Sequence, residues 1–164
     1  MLREEAIAVL ATHELQALTK EQRESLLGDG WWESSDEDDE IGDPMDPRHD
    51  PVLHTALVHG YVGVINTYLE KRLAQLGRQE TVVGEPEQLV RCACSGYHTL
   101  DARGDYDICP VCFWEDDGTL EASRGSGPNH MTLGEARANF SRLGAVTERV
   151  VAFVLPDGKE RYRP

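Results

Sequence analysis

Four cysteines in two close pairs constrain this chain more than any other feature. They follow the pattern Cys92-x-Cys94, then fourteen intervening residues, then Cys109-x-x-Cys112. Zinc prefers four soft ligands arranged as a tetrahedron, and two tight turns that each carry a cysteine pair can supply them on a short chain. The sequence therefore predicts a zinc-ribbon-like element in which Cys92, Cys94, Cys109 and Cys112 hold a structural zinc ion.

The first cysteine pair is the less regular of the two. A usual zinc knuckle has two residues between its cysteines and a glycine after them; Gly96 stands in that place, but Ser95 precedes it. Because serine is a poor zinc ligand, either Cys94 turns inward as the second ligand or His98 contributes a nitrogen. A degenerate ribbon with reduced, buried thiols and no metal also fits. A redox role for the second pair is disfavoured, because the acidic run behind it would raise the pKa of its thiols.

The charge of the chain limits its partners. The 164 residues include 30 acidic and 16 basic side chains, a formal net charge of −14. Such a surface repels nucleic-acid phosphates and anionic membranes, and it favours a basic protein partner. The sequence has no apolar stretch long enough to span a membrane and no secretory signal. We therefore expect a cytoplasmic protein, in which close cysteines bind metal more readily than they form disulfides.

Helical patterns dominate the N-terminal half. Short helices are predicted for residues 3–11 and 20–27, the second opened by a capping box. A roughly helical repeat of apolar residues then predicts one long helix over residues 51–76. Gly60 and Gly63 place no side chain on one face of this helix, which would allow close packing against another element.

The C-terminal half is predicted to contain short strands and one helix. Strands are predicted for residues 81–83, 89–91 and 149–155, the last being the strongest strand pattern in the chain. A capping box formed by Thr132 and Glu135 predicts a helix over residues 133–143. The predicted fold is α+β, with a helical portion, residues 1–77, packed on a cysteine-rich portion, residues 85–155, around a shared core.

The cysteine-rich segment also resembles a known family. The stretch CACSGYHTLDARGDYDICPVCFWEDDG, followed by GPN and LGEARANFSRLGA, is similar to the cysteine-rich CPCC family of bacterial proteins over roughly residues 90–145. Ala93 and Ser95 replace a proline and a cysteine of the family pattern. The helical N-terminal half is similar to the extension of longer relatives, which resemble immunity proteins encoded beside secreted antibacterial toxins.

That resemblance implies a protein that binds and occludes a cognate toxin; the alternative is a zinc-stabilised adaptor or regulatory module. No catalytic arrangement is evident in the sequence, and we expect no enzymatic activity. If the toxin acts on nucleic acid, its substrate groove is basic, and an acidic protein can imitate the polyanion. Tryptophan is enriched at the centres of interfaces, and an acidic loop spans residues 34–50. The predicted contact residues are Trp31, Trp32, Asp36, Glu37, Asp38, Asp39, Glu40, Trp114, Asp116 and Asp117.

Overall fold

The computed structural model describes residues 1–28 and 42–164. Residues Met1–Val62 and Leu69–Glu85 form one compact unit, and residues Gly63–Tyr68 and Pro86–Pro164 form a second. Helices and small two-stranded sheets together confirm the predicted α+β class. No helix among the described residues is both long and apolar enough to cross a lipid bilayer.

The first unit is helical. It contains α1 (Arg3–Ala17), α2 (Lys20–Leu26), α3 (Asp50–His59) and the greater part of α4 (Asn66–Gln75). Helix α1 packs against α3, and Leu10, Leu53 and Leu73 are buried in the core of this unit. The carboxylate of Glu14 accepts hydrogen bonds from the Tyr61 hydroxyl at 2.6 Å and from the Arg72 guanidinium at 3.0 Å. Apolar packing and a half-buried polar network therefore fix the unit together.

The helix predicted over residues 51–76 is interrupted, and the sequence-based prediction of one continuous helix was wrong. Helix α3 ends at His59 and α4 begins at Asn66. Gly63 has φ +71°, a left-handed conformation that ends an α-helix, and a Cβ at this position would lie 2.2 Å from Leu89 Cδ1. The glycine that suggested close helix packing therefore marks a break in the helix, at a close approach of the Leu89 side chain.

The second unit is built from short elements. They are β1 (Val90–Arg91), β2 (His98–Leu100), β3 (Gly125–Ser126), β4 (Met131–Thr132), α5 (Leu133–Leu143), a 3₁₀ helix (Glu148–Phe153) and α6 (Gly158–Arg161). Strands β1 and β2 pair antiparallel, as do β3 and β4. The prediction for α5 is confirmed: the Thr132 hydroxyl accepts from the Glu135 amide at 3.2 Å, and the helix ends at Gly144 with φ +77°.

Two of the predicted strands are not formed as strands. Residues 149–155 lie mainly in the 3₁₀ helix, with Val151 and Phe153 exposed, so the prediction of a strand here was wrong. The segment donates to the cysteine region instead of pairing with a strand: the Leu155 amide hydrogen-bonds to the Pro110 carbonyl at 2.9 Å. At residues 81–83, Val83 forms only an isolated parallel bridge with Leu2. Tertiary contacts have overridden the β-propensity of both apolar runs.

Candidate metal centre

Two turns of the second unit have the same backbone hydrogen-bonding pattern. In the first turn, the Cys92 amide donates to the Tyr97 carbonyl at 2.8 Å, and the Gly96 amide donates to the Cys92 carbonyl at 3.0 Å. In the second turn, the Cys109 amide donates to the Trp114 carbonyl at 2.9 Å, and the fifth residue of the turn, Phe113, donates to the Cys109 carbonyl at 2.8 Å. Both turns are zinc knuckles in geometry, and we call them the first knuckle (residues 92–97) and the second knuckle (residues 109–114).

The fifth position of each knuckle has a left-handed backbone. Gly96 has φ +83° and Phe113 has φ +67°. Glycine adopts this conformation without cost, whereas a bulky side chain does not. Phe113 occupies a strained backbone position, and its ring packs against that of Phe153 with centroids 5.8 Å apart. Its side chain thus has a packing role that glycine could not fill.

Superposing the two patterns assigns equivalent positions. Cys92 corresponds to Cys109, and the fourth residue of the second knuckle, Cys112, corresponds to Ser95. Cys94 corresponds to Val111, a buried apolar side chain. By backbone position, therefore, the four corners of the site are residues 92, 95, 109 and 112, and Ser95 occupies the corner that a cysteine would normally fill.

The sulfur atoms confirm three of these corners. The ligand atoms of Cys92, Cys109 and Cys112 all lie within 4.8 Å of one another, and none of the three residues is more than 1% exposed. The Cys92 and Cys112 sulfurs are 3.7 Å apart, and all four cysteines are free thiols. With a Zn–S distance of about 2.3 Å, the edge of a ZnS₄ tetrahedron is about 3.8 Å. Three soft donors at this spacing fit a zinc-type metal ion.

Two hydroxyl groups lie close to the Cys109 sulfur. The Thr99 hydroxyl donates to the Cys109 sulfur at 3.2 Å, and the Ser95 oxygen lies 3.5 Å from the same sulfur. Hydrogen bonds from Cys112 and Cys92, with smaller contributions from Ser95 and Thr99, hold the pKa of Cys109 well below that of a free thiol. Hydrogen bonding to Cys109 first, and then to Cys112, raises the pKa of Cys92. These hydrogen bonds favour the thiolate form of Cys109, which is the form that binds metal.

The structure separates Cys94 from this group. Its thiol is buried and interacts with Cys112, whose pKa is raised mainly by Cys109 and further by Cys94. It nevertheless lies outside the set of sulfurs that are mutually within 4.8 Å. This corrects the prediction of four equivalent cysteine ligands, because the knuckle backbone directs position 95, and not position 94, toward the other three. His98 is also outside the group, and its Nδ1 lies 2.9 Å from the Leu89 carbonyl oxygen.

The residues predicted to contact a partner have different environments. Trp31, Trp32 and Asp36 to Glu40 lie outside the described residues. Trp114 and Asp116 are completely buried, which corrects their assignment to a contact surface. Asp116 accepts from Arg103 Nη1 and from the Gly104 amide, both at 2.8 Å, and so stabilises the loop between the knuckles.

Asp117 is half-buried rather than exposed. Its carboxylate accepts from the Thr119 amide at 3.0 Å. Burial opposes ionisation, but hydrogen bonds from Ser126 and Thr119 hold the pKa of Asp117 below its usual value. Its charge is therefore committed to the fold of the loop after the second knuckle.

Comparison with known proteins identifies one family that matches part of the chain. Residues 90–160 match the cysteine-rich CPCC family. The match begins at β1 and includes both knuckles, α5 and the 3₁₀ helix, so the CPCC segment corresponds to most of the second unit. It confirms the resemblance inferred from the motifs. No curated protein and no solved structure matches the chain.

Two features of the site were missed or misjudged from the sequence. The pattern Cys92-x-x-Ser95-Gly96 has the spacing of the second knuckle, so the equivalence of Ser95 and Cys112 was available as a signal. The presence of a fourth cysteine, Cys94, gave a competing signal for a site with four cysteine ligands. The hydrogen bond from the Thr99 hydroxyl to Cys109 was also missed, because it joins residues ten positions apart that share no local motif.

Proposed function

We propose that this protein is a non-enzymatic binding protein whose CPCC segment, stabilised by zinc, recognises another protein. The proposal rests on an exposed apolar surface beside the second knuckle, formed by Ile108, Phe113, Val150 and Phe153, which we call the knuckle surface. Ile108 is 48% exposed and Phe153 is 68% exposed. Contiguous exposed apolar side chains of this kind mark protein interaction sites in soluble proteins.

The shape and charge of the knuckle surface favour a basic partner. Ile108, Phe113 and Val150 line a cleft of about 150 Å³, and Glu115 lines the same cleft. Glu148 is exposed at the start of the 3₁₀ helix that carries Val150 and Phe153. Exposed Arg149 lies in the same 3₁₀ helix, but Glu115 and Glu148 outnumber it, so the apolar centre has a net acidic edge that complements a partner with an apolar side chain among lysines or arginines.

The more specific form of the proposal is an immunity protein that occludes a basic toxin. Its support is the net charge of −14 and the resemblance of the chain to longer CPCC relatives. If the toxin cleaves or modifies nucleic acid, its substrate groove is basic, and an acidic protein can cover it by imitating the polyanion. The alternative is an adaptor or regulatory module for a cytosolic protein; it would copurify with a protein that is not a toxin.

We propose a structural role for the metal. A zinc ion would be held by Cys92, Cys109 and Cys112. Its fourth position would be filled by the Ser95 hydroxyl or by another ligand weaker than a thiolate. The three sulfurs are buried, and no carboxylate or imidazole of residues 1–28 and 42–164 joins their group. A metal without a neighbouring proton-transfer group suits folding better than catalysis. When bound, zinc would cross-link the two knuckles and add its binding free energy to the stability of the CPCC segment.

A copurification with two matched variants tests the partner proposal. Phe153→Ser removes the most exposed aromatic side chain of the knuckle surface, whereas Leu120→Ser removes a leucine that is 62% exposed and lies outside it. We expect the full-length protein to retain a basic protein encoded by an adjacent gene. Phe153→Ser should weaken this complex about tenfold or more, and Leu120→Ser should leave it unchanged.

Two outcomes would count against the proposal. Equal binding by the Phe153→Ser and wild-type proteins would remove the knuckle surface from the interface. Recovery of a housekeeping protein, sensitive to Phe153→Ser but unrelated to any neighbouring gene, would favour the adaptor and exclude the immunity role.

A further inference from the structure

A polar cleft beside the first knuckle is lined by basic side chains, although the protein as a whole is acidic. It has a volume of about 420 Å³ and is lined by Arg91, Arg103 and Arg137, together with residues 92–96 and Leu120. The chain has almost twice as many acidic as basic residues, 30 against 16. Yet no Asp or Glu of the described residues lines this cleft. Three arginines that line one cleft, with no carboxylate among the lining residues, indicate a site for an anion.

Two of the arginines are held in place by the knuckle backbone. Arg91 Nε donates to the Gly96 carbonyl at 2.6 Å, and Arg137 Nε, from α5, donates to the Ala93 carbonyl at 2.9 Å. A Cβ built on Gly96 would lie 3.3 Å from Arg91 Nη2, so the guanidinium rests against the glycine. Each contact uses Nε and leaves the two Nη groups for another acceptor. Among residues 1–28 and 42–164, no carboxylate pairs with Arg91 or Arg137.

The third arginine is oriented by a buried carboxylate. Arg103 Nη1 donates to Asp116 Oδ1 at 2.8 Å, and the Asp116 side chain is fully buried. Arg103 is the one arginine of the three that pairs with a carboxylate, so Arg91 and Arg137 keep positive charges in the cleft that no carboxylate of the described residues pairs with. The arginines thus come from β1, from the loop after β2 and from α5, and each is fixed by a separate hydrogen bond. A site assembled in this way is preorganised, which reduces the entropy lost on binding.

We propose that this cleft binds a small organic phosphate, with the phosphate on the three arginines. The guanidinium fork matches phosphate geometry, and a phosphate dianion offers enough oxygen acceptors for three arginines, whereas a carboxylate offers only two oxygens. The cleft volume falls within the range of small-molecule sites. Leu120 is 62% exposed at the wall of the cleft and offers an apolar contact to the organic part of the ligand. This inference is independent of the protein partner proposed above.

A simpler explanation is that the arginines only hold the carbonyls of the first knuckle. It predicts no saturable anion binding. The two explanations are separated by titrating the full-length protein with phenyl phosphate in low-salt buffer by isothermal calorimetry. Every variant should be compared at the same measured metal content, because residues 92–96 belong to the first knuckle.

We expect one phenyl phosphate to bind per chain, more tightly than inorganic phosphate, because its ring can contact Leu120. Arg91→Gln and Arg137→Gln should each weaken binding by about tenfold or more, the usual effect of losing a hydrogen bond to a charged group. Arg142→Gln is the matched control, since Arg142 is exposed on the same helix but does not line the cleft. It should change the affinity by less than about twofold.

Several results would overturn the proposal. The absence of saturable binding by the wild-type protein would favour the purely structural role. An equal loss in Arg142→Gln would show a diffuse charge effect, and benzoate binding as tightly as phenyl phosphate would contradict the assignment to phosphate. Because Arg91 and Arg137 belong to different elements, a folding defect in one variant leaves the other as the test.

Discussion

Single substitutions at positions 94 and 95 test which of the two residues completes the metal site. The knuckle hydrogen bonds place Ser95, and not Cys94, at the position equivalent to Cys112. We therefore expect Ser95→Cys to tighten metal binding, because a thiolate would replace a hydroxyl at the fourth corner. Cys94→Ala should leave metal affinity nearly unchanged, since its sulfur lies outside the group of three.

The expected magnitude follows from the energy of complete sites. Structural zinc with four ligands contributes about 10–16 kcal/mol in small domains. Divided equally, each ligand accounts for about 2.5–4 kcal/mol. Gaining the fourth thiolate should thus improve affinity by roughly 100-fold or more, because each 1.4 kcal/mol is about a factor of ten. Losing Cys109 should weaken binding by a similar factor, because Cys109 belongs to the buried group of sulfurs.

The measurement is a competition with a chromogenic zinc chelator at pH 7, using the wild-type protein and the variants Ser95→Cys, Cys94→Ala and Cys109→Ala. Metal analysis gives the stoichiometry, which should be one ion per chain. Loading with cobalt(II) provides a separate readout, because the intensity of the thiolate-to-cobalt charge-transfer band increases with the number of bound thiolates. Ser95→Cys should raise this intensity, and Cys94→Ala should not lower it.

One result would refute the reasoning directly. If Cys94→Ala weakens metal binding as much as Cys109→Ala, and Ser95→Cys gives no gain, then Cys94 turns inward as the fourth ligand. The backbone equivalence of the two knuckles would not, in that case, determine the ligand set.

The remaining predictions concern stability and are measured by denaturant unfolding. Gly63→Ala should cost about 2–3 kcal/mol, because Gly63 has φ +71° and its Cβ would clash with Leu89. Gly77→Ala, with φ +77° but no atom within 4 Å, is the control and should cost only about 1 kcal/mol. Asp116→Asn should cost about 1–3 kcal/mol through its weakened bonds to Arg103 and Gly104, and an unchanged midpoint would contradict this role.

The features predicted correctly from the sequence are those decided by a few neighbouring residues. The capping boxes at Thr19 and Thr132 correctly locate the starts of α2 and α5, because a cap depends on residues only three positions apart. The spacing of Cys109 and Cys112 likewise predicts the second knuckle. In each case the local backbone has one favourable conformation and the residues needed for it.

The features predicted wrongly depend on contacts between distant residues. Leu89 approaches Gly63 closely within the interruption between α3 and α4, and periodicity within one segment contains no information about that contact. Residues 149–155 have strong β-propensity, but the Leu155 amide donates to the Pro110 carbonyl, and no strand within residues 1–28 and 42–164 pairs with this segment. Cys94 lies outside the group of three sulfurs for a different reason: its place in the knuckle is equivalent to that of Val111, and residue type alone does not indicate this.

The net charge of the chain and the charge at each of its surfaces affect binding in different ways. A net charge of −14 predicts which molecules approach the protein quickly, because long-range attraction depends on the total field. What binds is decided over a few ångströms, where the CPCC segment has an arginine-lined cleft at the first knuckle and an apolar, carboxylate-edged surface at the second. One surface is lined by arginines and the other is apolar with carboxylates at its edge, so we expect each to bind a different ligand. Mutations at one should therefore leave binding at the other intact, which makes the phosphate and protein-partner proposals separately testable on the same chain.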